Sequence, residues 1–96
     1  MASYQPLIYA TAVVSQNGTI TSTGGKVALT CNKTTTGVYP LSWAAAPSSP
    51  FAFIQLRAIA GNFTSGYQLM TTTGCTVNTW LGTTLTDNGF NILVFA

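Results

Sequence analysis

Among the 96 residues there are three Lys or Arg, a single acid, Asp87, and no His, while 47% are hydrophobic. These numbers exclude a histidine general base, a catalytic pair of carboxylates and an imidazole metal site. The three scattered cations, Lys26, Lys33 and Arg57, are too few to neutralise a nucleic-acid backbone. We therefore expect no enzymatic activity, no cofactor, no metal and no nucleic-acid partner.

The pattern along the chain is that of strands. Thr is abundant, and Gly or Pro recurs roughly every eight to twelve residues, which is typical of an all-β domain. The pair Asn17-Gly18 predicts a hairpin turn because both residues tolerate positive φ, and Gly24-Gly25 predicts a second turn. The predicted strands, about eight in number, are 7–14, 19–21, 26–31, 38–43, 51–60, 67–72, 75–80 and 90–96.

About eight strands are enough for a two-sheet antiparallel sandwich and too many for one flat sheet. We expect residues 1–96 to form a single domain, with 1–16 either an N-terminal strand or a linker from a longer protein. The first residues lack the basic start and apolar run of a signal peptide. No window approaches the roughly 18 consecutive apolar residues of a membrane-spanning helix, so membrane insertion is not expected.

Two predicted strands are apolar on both sides. In the strand 51–60, Phe51 and Phe53 alternate with Ile54 and Leu56, and the strand 90–96 repeats the pattern. A strand that is apolar on both sides is buried on both sides, whereas a small sandwich buries only one side of each sheet. The second side is therefore expected to meet another subunit. The alternative is a locally thick core with loops folded over the outer side.

The two cysteines, Cys31 and Cys75, allow two interpretations. A disulfide between them would close a long loop and stabilise the fold by roughly 4 kcal/mol. Two unpaired thiols would instead act as small buried hydrophobes. We favour the unpaired thiols.

Exposed aromatic rings stack on sugars, and the tryptophans are the candidates for such a contact. Trp43 shares its predicted strand face with Tyr39 and Leu41 and is expected in the core. Trp80 ends its strand among Thr and Asn neighbours and is the candidate ligand contact. Asp87, within Asp-Asn-Gly, is expected to be a turn residue that bonds its own backbone.

Three segments together resemble a known family. They are Thr36-Gly37-Val38-Tyr39 followed by Leu41 and Trp43, the turn and strand 72–79, and the ending Asp-Asn-Gly-Phe-Asn-Ile-Leu-Val-Phe at 87–95. Their order and spacing, over roughly residues 17–96, resemble the small trimeric β domains of phage tail fibres and other viral surface proteins.

The resemblance implies a sandwich of the jelly-roll or C1q/TNF-like kind that assembles as a tight homotrimer. Such domains cap fibres, hold three chains in register and sometimes contact a host receptor. This places the chain on the virion, at its surface or in a fibre, facing the extracellular side. The family has no shared catalytic or metal residues to carry over.

We therefore expect a non-enzymatic trimerisation and capping domain with a structural role and a possible part in host attachment. The alternative is a carbohydrate- or receptor-binding module that contacts a host glycan or receptor, and a third interpretation is an openly polymerising coat subunit. The core is expected to hold Leu93 and Phe95 together with Val27, Leu29, Tyr39 and Leu41. The subunit interface is expected at Phe51, Phe53, Ile54, Phe90, Ile92 and Val94.

Overall fold

The structure is a computed structural model that describes residues 8–46, 50–57 and 61–96. These residues form nine strands in two antiparallel sheets, which confirms the all-β, sandwich-like architecture expected from the sequence. The strands are β1 Ile8–Val14, β2 Ile20–Gly25, β3 Thr30–Cys31, β4 Val38–Ser42, β5 Phe51–Leu56, β6 Phe63–Thr71, β7 Gly74–Leu81, β8 Thr84–Leu85 and β9 Phe90–Phe95.

The first sheet has the strand order β2-β1-β9-β5, and the second has the order β3-β4-β7-β6. The short strand β8 pairs with β7, where Trp80 lies opposite Leu85. The chain therefore crosses between the sheets several times, and β9 ends as an inner strand between β1 and β5. The segment 8–14, which the sequence left as strand or linker, is an inner strand of the same sheet.

The core lies between the two sheets and holds alternate residues of their strands. Tyr39 of the second sheet and Phe90 of the first meet edge to face, with ring centroids 5.1 Å apart. The expectation for Leu29, Tyr39 and Leu41 is confirmed, because all three are buried, while Val27 is half-buried. The buried apolar residues are Tyr9, Ala10, Ala12, Val14, Leu29, Tyr39, Leu41, Trp43, Ala46, Cys75, Val77, Phe90, Ile92 and Val94.

Two predicted elements of the N-terminal half differ in the structure. Gly24 and Gly25, predicted as a turn, lie within β2 and pair with Thr11 and Ala10. The chain turns later, because the N–H groups of Lys26 and Val27 both donate to one β1 carbonyl, at 2.8 and 3.2 Å. The predicted strand 26–31 is consequently reduced to the two residues of β3.

The predicted sides of β9 are reversed. Phe90, Ile92 and Val94, expected at a subunit interface, are at most 1% exposed and line the core of one chain. Leu93 and Phe95, expected in the core, lie half-buried on the outer side. The two sides of β9 are almost equally apolar, so alternation within the strand does not distinguish them. The neighbouring strand does, because β1 turns Ala10, Ala12 and Val14 inward.

The same division holds in β5, where exposed and half-buried residues alternate from the first residue to the last. Ile54, expected at the interface, lies opposite Ile92 and packs against the core. Phe51 and Phe53 face outward and are 40% and 63% exposed. The last three residues of the predicted strand 51–60 lie outside the described residues.

Candidate functional site

The outer side of the first sheet carries an exposed apolar surface. We call it the outer apolar face and define it by Ile8 of β1, Leu93 and Phe95 of β9, and Phe51 and Phe53 of β5. Strand pairing brings these residues into two adjacent rows, with Ile8 and Phe51 on either side of Phe95. None of the four charged residues of the chain belongs to this face.

Three aromatic rings make this face continuous. The rings of Phe51 and Phe95 stack almost parallel, with centroids 5.2 Å apart and an angle of 11° between their planes. Phe53 meets the same Phe95 ring edge to face, at 5.8 Å. Each ring thus holds its neighbour in place, although Phe53 remains 63% exposed. A preformed apolar surface of this kind is typical of a protein–protein contact.

At one end of the sandwich, the first and last motifs of the sequence meet. The Gly37 N–H donates to Oδ1 of Asp87 at 2.8 Å, and Lys33 pairs with the same carboxylate oxygen at 3.1 Å. The Tyr39 hydroxyl donates to the carbonyl of Gln16 at 2.6 Å and accepts the N–H of Asn88 at 3.1 Å. We call these three hydrogen bonds and one ion pair, centred on Tyr39 and Asp87, the motif network.

The motif network changes the interpretation of Asp87. The expected bond to its own turn is replaced by a contact with Gly37, fifty residues away in sequence. Gly37 adopts φ +71°, and a Cβ at this position would lie 2.7 Å from the carbonyl oxygen of Thr79. Only glycine fits there, because positive φ and the close backbone both exclude a side chain. Two of the three motifs that carry the family resemblance, the first and the last, therefore connect the two sheets.

The pKa values of Asp87 and Tyr39 depend on this environment. Partial burial alone would raise the pKa of the Asp87 carboxyl, but the Gly37 N–H and the Lys33 ammonium outweigh it and hold that pKa below its ordinary value. Burial raises the pKa of Tyr39 to about 12, so its hydroxyl remains protonated and continues to donate at physiological pH. Both groups are thus held in the ionisation state that their hydrogen bonds require.

An open cleft of about 490 Å³ lies beside the motif network. It forms where β1 ends, β9 begins and β5 ends, and it is lined by Ser15, Gln16, Thr21, Arg57, Asn88 and Gly89. We call it the Arg57 cleft. The lining residues within the described ranges are polar or glycine, in contrast to the outer apolar face. Sequence reasoning missed this cleft because its residues come from four separated segments.

The tryptophans are placed differently from each other. Trp43 is 6% exposed and donates its indole N–H to the carbonyl of Thr72 at 3.0 Å, which confirms it as a core residue. Trp80, the candidate ligand contact, is half-buried, and its ring lies 3.9 Å from where a Cβ on Gly66 would be. An aromatic ring over a strand glycine compensates for the missing side chain of that glycine. This contact gives Trp80 a structural role.

Both cysteines are unpaired, as expected. Leu41 pairs with Cys31 on one side and with Cys75 on the other, so the two thiols lie two strands apart. Neighbouring strands are about 4.8 Å apart, which puts the two Cα atoms beyond disulfide distance. Burial raises the pKa of Cys75 to about 11 and also raises that of Cys31, so both are protonated at neutral pH.

Two kinds of feature are absent from the described residues. These residues contain no group of three or more His, Cys, Asp or Glu side chains placed to hold a metal ion. Residues 8–46, 50–57 and 61–96 also include no helix with the length and apolar character needed to cross a membrane.

Comparisons with protein-family models, with curated proteins and with solved structures found no match to this chain.

Proposed function

We propose that this chain is a non-enzymatic trimerisation and capping domain of a viral fibre or surface protein. It associates with two further copies through the outer apolar face. Its role is structural, on the extracellular side of the virion. The observation that carries the proposal is the cluster of Phe51, Phe53 and Phe95 on the outer side of the first sheet, in which Phe51 and Phe53 are exposed.

The proposed interface differs from the interface predicted from the sequence. Of the six residues expected there, only Phe51 and Phe53 are exposed. The proposed interface therefore excludes the other four and adds Leu93, Phe95 and Ile8. Large exposed rings favour association because each square ångström of apolar surface removed from water contributes roughly 25 cal/mol. With a net charge of only +2, copies of the chain repel one another weakly.

The number of copies comes from the resemblance. The motifs at 36–39 and 87–95 resemble those of trimeric fibre domains, and in this chain they meet in the motif network. A fixed end of the sandwich supports a capping role, since it sets the relative position of the two sheets. The outer apolar face is the proposed contact surface, and the threefold arrangement is what the family resemblance implies.

The test is the mass of the particle in solution, measured by light scattering on a size-exclusion column. Wild type is expected to elute with the mass of three chains at micromolar concentration. Phe53→Asp places a charge at the most exposed ring of the outer apolar face and is expected to give monomers. Its unfolding transition should remain cooperative, because Phe53 contributes little to the core.

Leu69→Asp is the matched control. Leu69 is 73% exposed but belongs to the second sheet, so the same change from an apolar side chain to a negative charge should leave the trimer intact. A monomeric wild type, or a Phe53→Asp variant that keeps the mass of three chains, would contradict the proposal. A filament seen by electron microscopy would favour an openly polymerising subunit instead.

The second candidate function is carbohydrate or receptor binding. The contact between Trp80 and Gly66 reduces the support for a site at that ring. The Arg57 cleft is a better location, because it offers a charged group and several polar ones in a concave surface.

A further inference from the structure

The charges of the chain leave two of its three cations, Lys26 and Arg57, without an acidic side chain as partner. Asp87 is the only acidic side chain, and its Oδ1 is occupied by Lys33 at 3.1 Å. No second Asp or Glu exists that could neutralise Arg57. In the described part of the chain, Arg57 takes part in no ion pair. A guanidinium without a partner is a ready donor of two parallel hydrogen bonds to an oxyanion.

Arg57 is also held at a defined place in the Arg57 cleft. Its backbone N–H donates to the carbonyl of Gly89 at 2.8 Å, directly after the last residue of β5. A Cβ on Gly89 would lie 3.1 Å from Cδ of Arg57 and 3.0 Å from the carbonyl oxygen of Val14. The arginine stem therefore passes close over Gly89, at the floor of the cleft.

The rest of the lining is neutral and rich in hydrogen-bonding groups. Gln16 contributes an exposed side-chain amide, and Thr21 a hydroxyl that donates to the carbonyl of Val13 at 3.3 Å. The Thr21 oxygen keeps its lone pairs as acceptors. Such groups suit a ligand that carries several hydroxyls, and the single cation suits one negative charge.

The walls are fixed before any ligand binds. The Tyr39 hydroxyl holds the carbonyl of Gln16 on one side and the N–H of Asn88 on the other, so both wall segments are tied to the opposite sheet. The turn that follows Ser15 is closed by a bond from the N–H of Ser15 to the carbonyl of Thr19, at 2.8 Å. Little ordering is needed on binding, which favours affinity.

From these observations we infer that the Arg57 cleft binds an acidic saccharide, with its single carboxylate or sulfate on Arg57 and its hydroxyls on Gln16 and Thr21. The volume of about 490 Å³ is within the range of small-ligand pockets. The described lining residues include no aromatic ring on which a sugar could stack, so affinity for one sugar unit is weak. In the proposed trimer, three copies of the cleft would compensate for this weak affinity by binding a saccharide with several acidic units at the same time.

The experiment is an NMR titration of isotopically labelled protein with three monosaccharides. They are a sialic acid, which carries a carboxylate, a galactose sulfate, and unmodified galactose. An acidic sugar is expected to shift the amide signals of residues 15–21, 57 and 88–89 in a saturable way. Galactose is expected to bind at least tenfold more weakly. The two acidic sugars distinguish a carboxylate from a sulfate as the preferred anion.

Arg57→Gln is expected to weaken binding of the acidic sugar at least tenfold. Lys26→Gln is the matched control, because it removes the same charge from an exposed lysine near Tyr9, at the other end of β1. It should leave the affinity unchanged. Unchanged affinity in Arg57→Gln, or equal binding of galactose, would overturn the inference. Acetate or inorganic sulfate binding as tightly as the sugars would overturn its saccharide part.

Saccharide binding in the Arg57 cleft and assembly of the proposed trimer are tested by different variants. Light scattering of Arg57→Gln should give the wild-type mass, and the Phe53→Asp monomer should still shift the cleft signals, since Phe53 does not line the cleft.

Discussion

The inner and outer sides of the first sheet have nearly the same chemistry but different surroundings. Phe90, Ile92 and Val94 point inward and are at most 1% exposed, whereas Leu93 and Phe95, on the same strand, are only half-buried. The inner side stabilises the fold of one chain. The outer side adds little to that fold and is available for association. The comparison shows that apolar character alone does not separate a core from an exposed surface.

The largest expected effect is a difference between neighbouring residues of β9. Ile92→Ala is expected to lower the free energy of unfolding by about 3 kcal/mol, because it leaves a cavity between the sheets. Leu93→Ala should cost about 1 kcal/mol or less, since the outer side is partly open to solvent. Denaturant unfolding in the monomeric Phe53→Asp background measures both. Equal costs would show that the two sides are equivalent.

Next in size is the removal of one hydroxyl from the motif network. Tyr39→Phe removes the hydroxyl that bonds both the carbonyl of Gln16 and the N–H of Asn88, which should cost about 2 kcal/mol. Tyr67→Phe is the control, because Tyr67 is 39% exposed and its hydroxyl is not part of this network. Chemical unfolding at pH 7 separates the two variants, and an effect in Tyr67→Phe as large as that in Tyr39→Phe would contradict this role.

The same hydroxyl predicts loss of stability in alkali. The pKa of Tyr39 is about 12 in the folded chain against 10.0 ordinarily, so only the unfolded chain loses the proton between these values. Its contribution is complete below pH 10 and falls as pH rises towards 12. Cys75, raised from 9.0 to about 11, begins the decline near pH 9. Thermal melts from pH 8 to 11.5 should therefore fall less steeply above pH 10 in Tyr39→Phe than in wild type.

A smaller effect is expected in acid. The pKa of Asp87 lies below its ordinary value of 3.8, so the unfolded chain takes up the proton first as pH falls. The contribution of Asp87 is complete above about pH 5 and is lost as pH falls through the folded pKa. Asp87→Asn should abolish most of this slope and cost about 1 kcal/mol at pH 7. Melting temperatures between pH 2 and 6 provide the test, and an unchanged slope would count against the network.

The smallest expected effect is a gain. Leu69 is a non-glycine residue with positive φ, +57°, at the bulge of β6 between Gln68 and Thr71. Because Asn tolerates this conformation better, Leu69→Asn should stabilise the fold by about 1 kcal/mol. Leu85→Asn, at an exposed leucine outside the positive-φ region, should give no gain. A gain in both variants would point to solubility instead of backbone strain.

Most of the sandwich was readable from the sequence because turn chemistry and alternation are local. The Asn17-Gly18 hairpin, the separate strands and the buried Trp43 follow from neighbouring residues. The two apolar sides of β5 and β9 also predict that the outer side meets a further subunit, which stays a prediction. The cleft could not be predicted, since Ser15, Arg57 and Gly89 meet only when three strands of one sheet end together.

The sequence by itself determined the class of structure and the scarcity of charge, including the presence of three cations and a single acidic side chain. Only the tertiary structure decided which cation pairs with that acid, because the contact between Lys33 and Asp87 joins segments far apart in the chain. It also decided which side of β9 faces the core. When both sides of a strand are apolar, the side that faces the core is determined by the residues that pack against it. In β9, the small inward residues of β1 and the ring of Tyr39 pack against the side of Phe90, Ile92 and Val94.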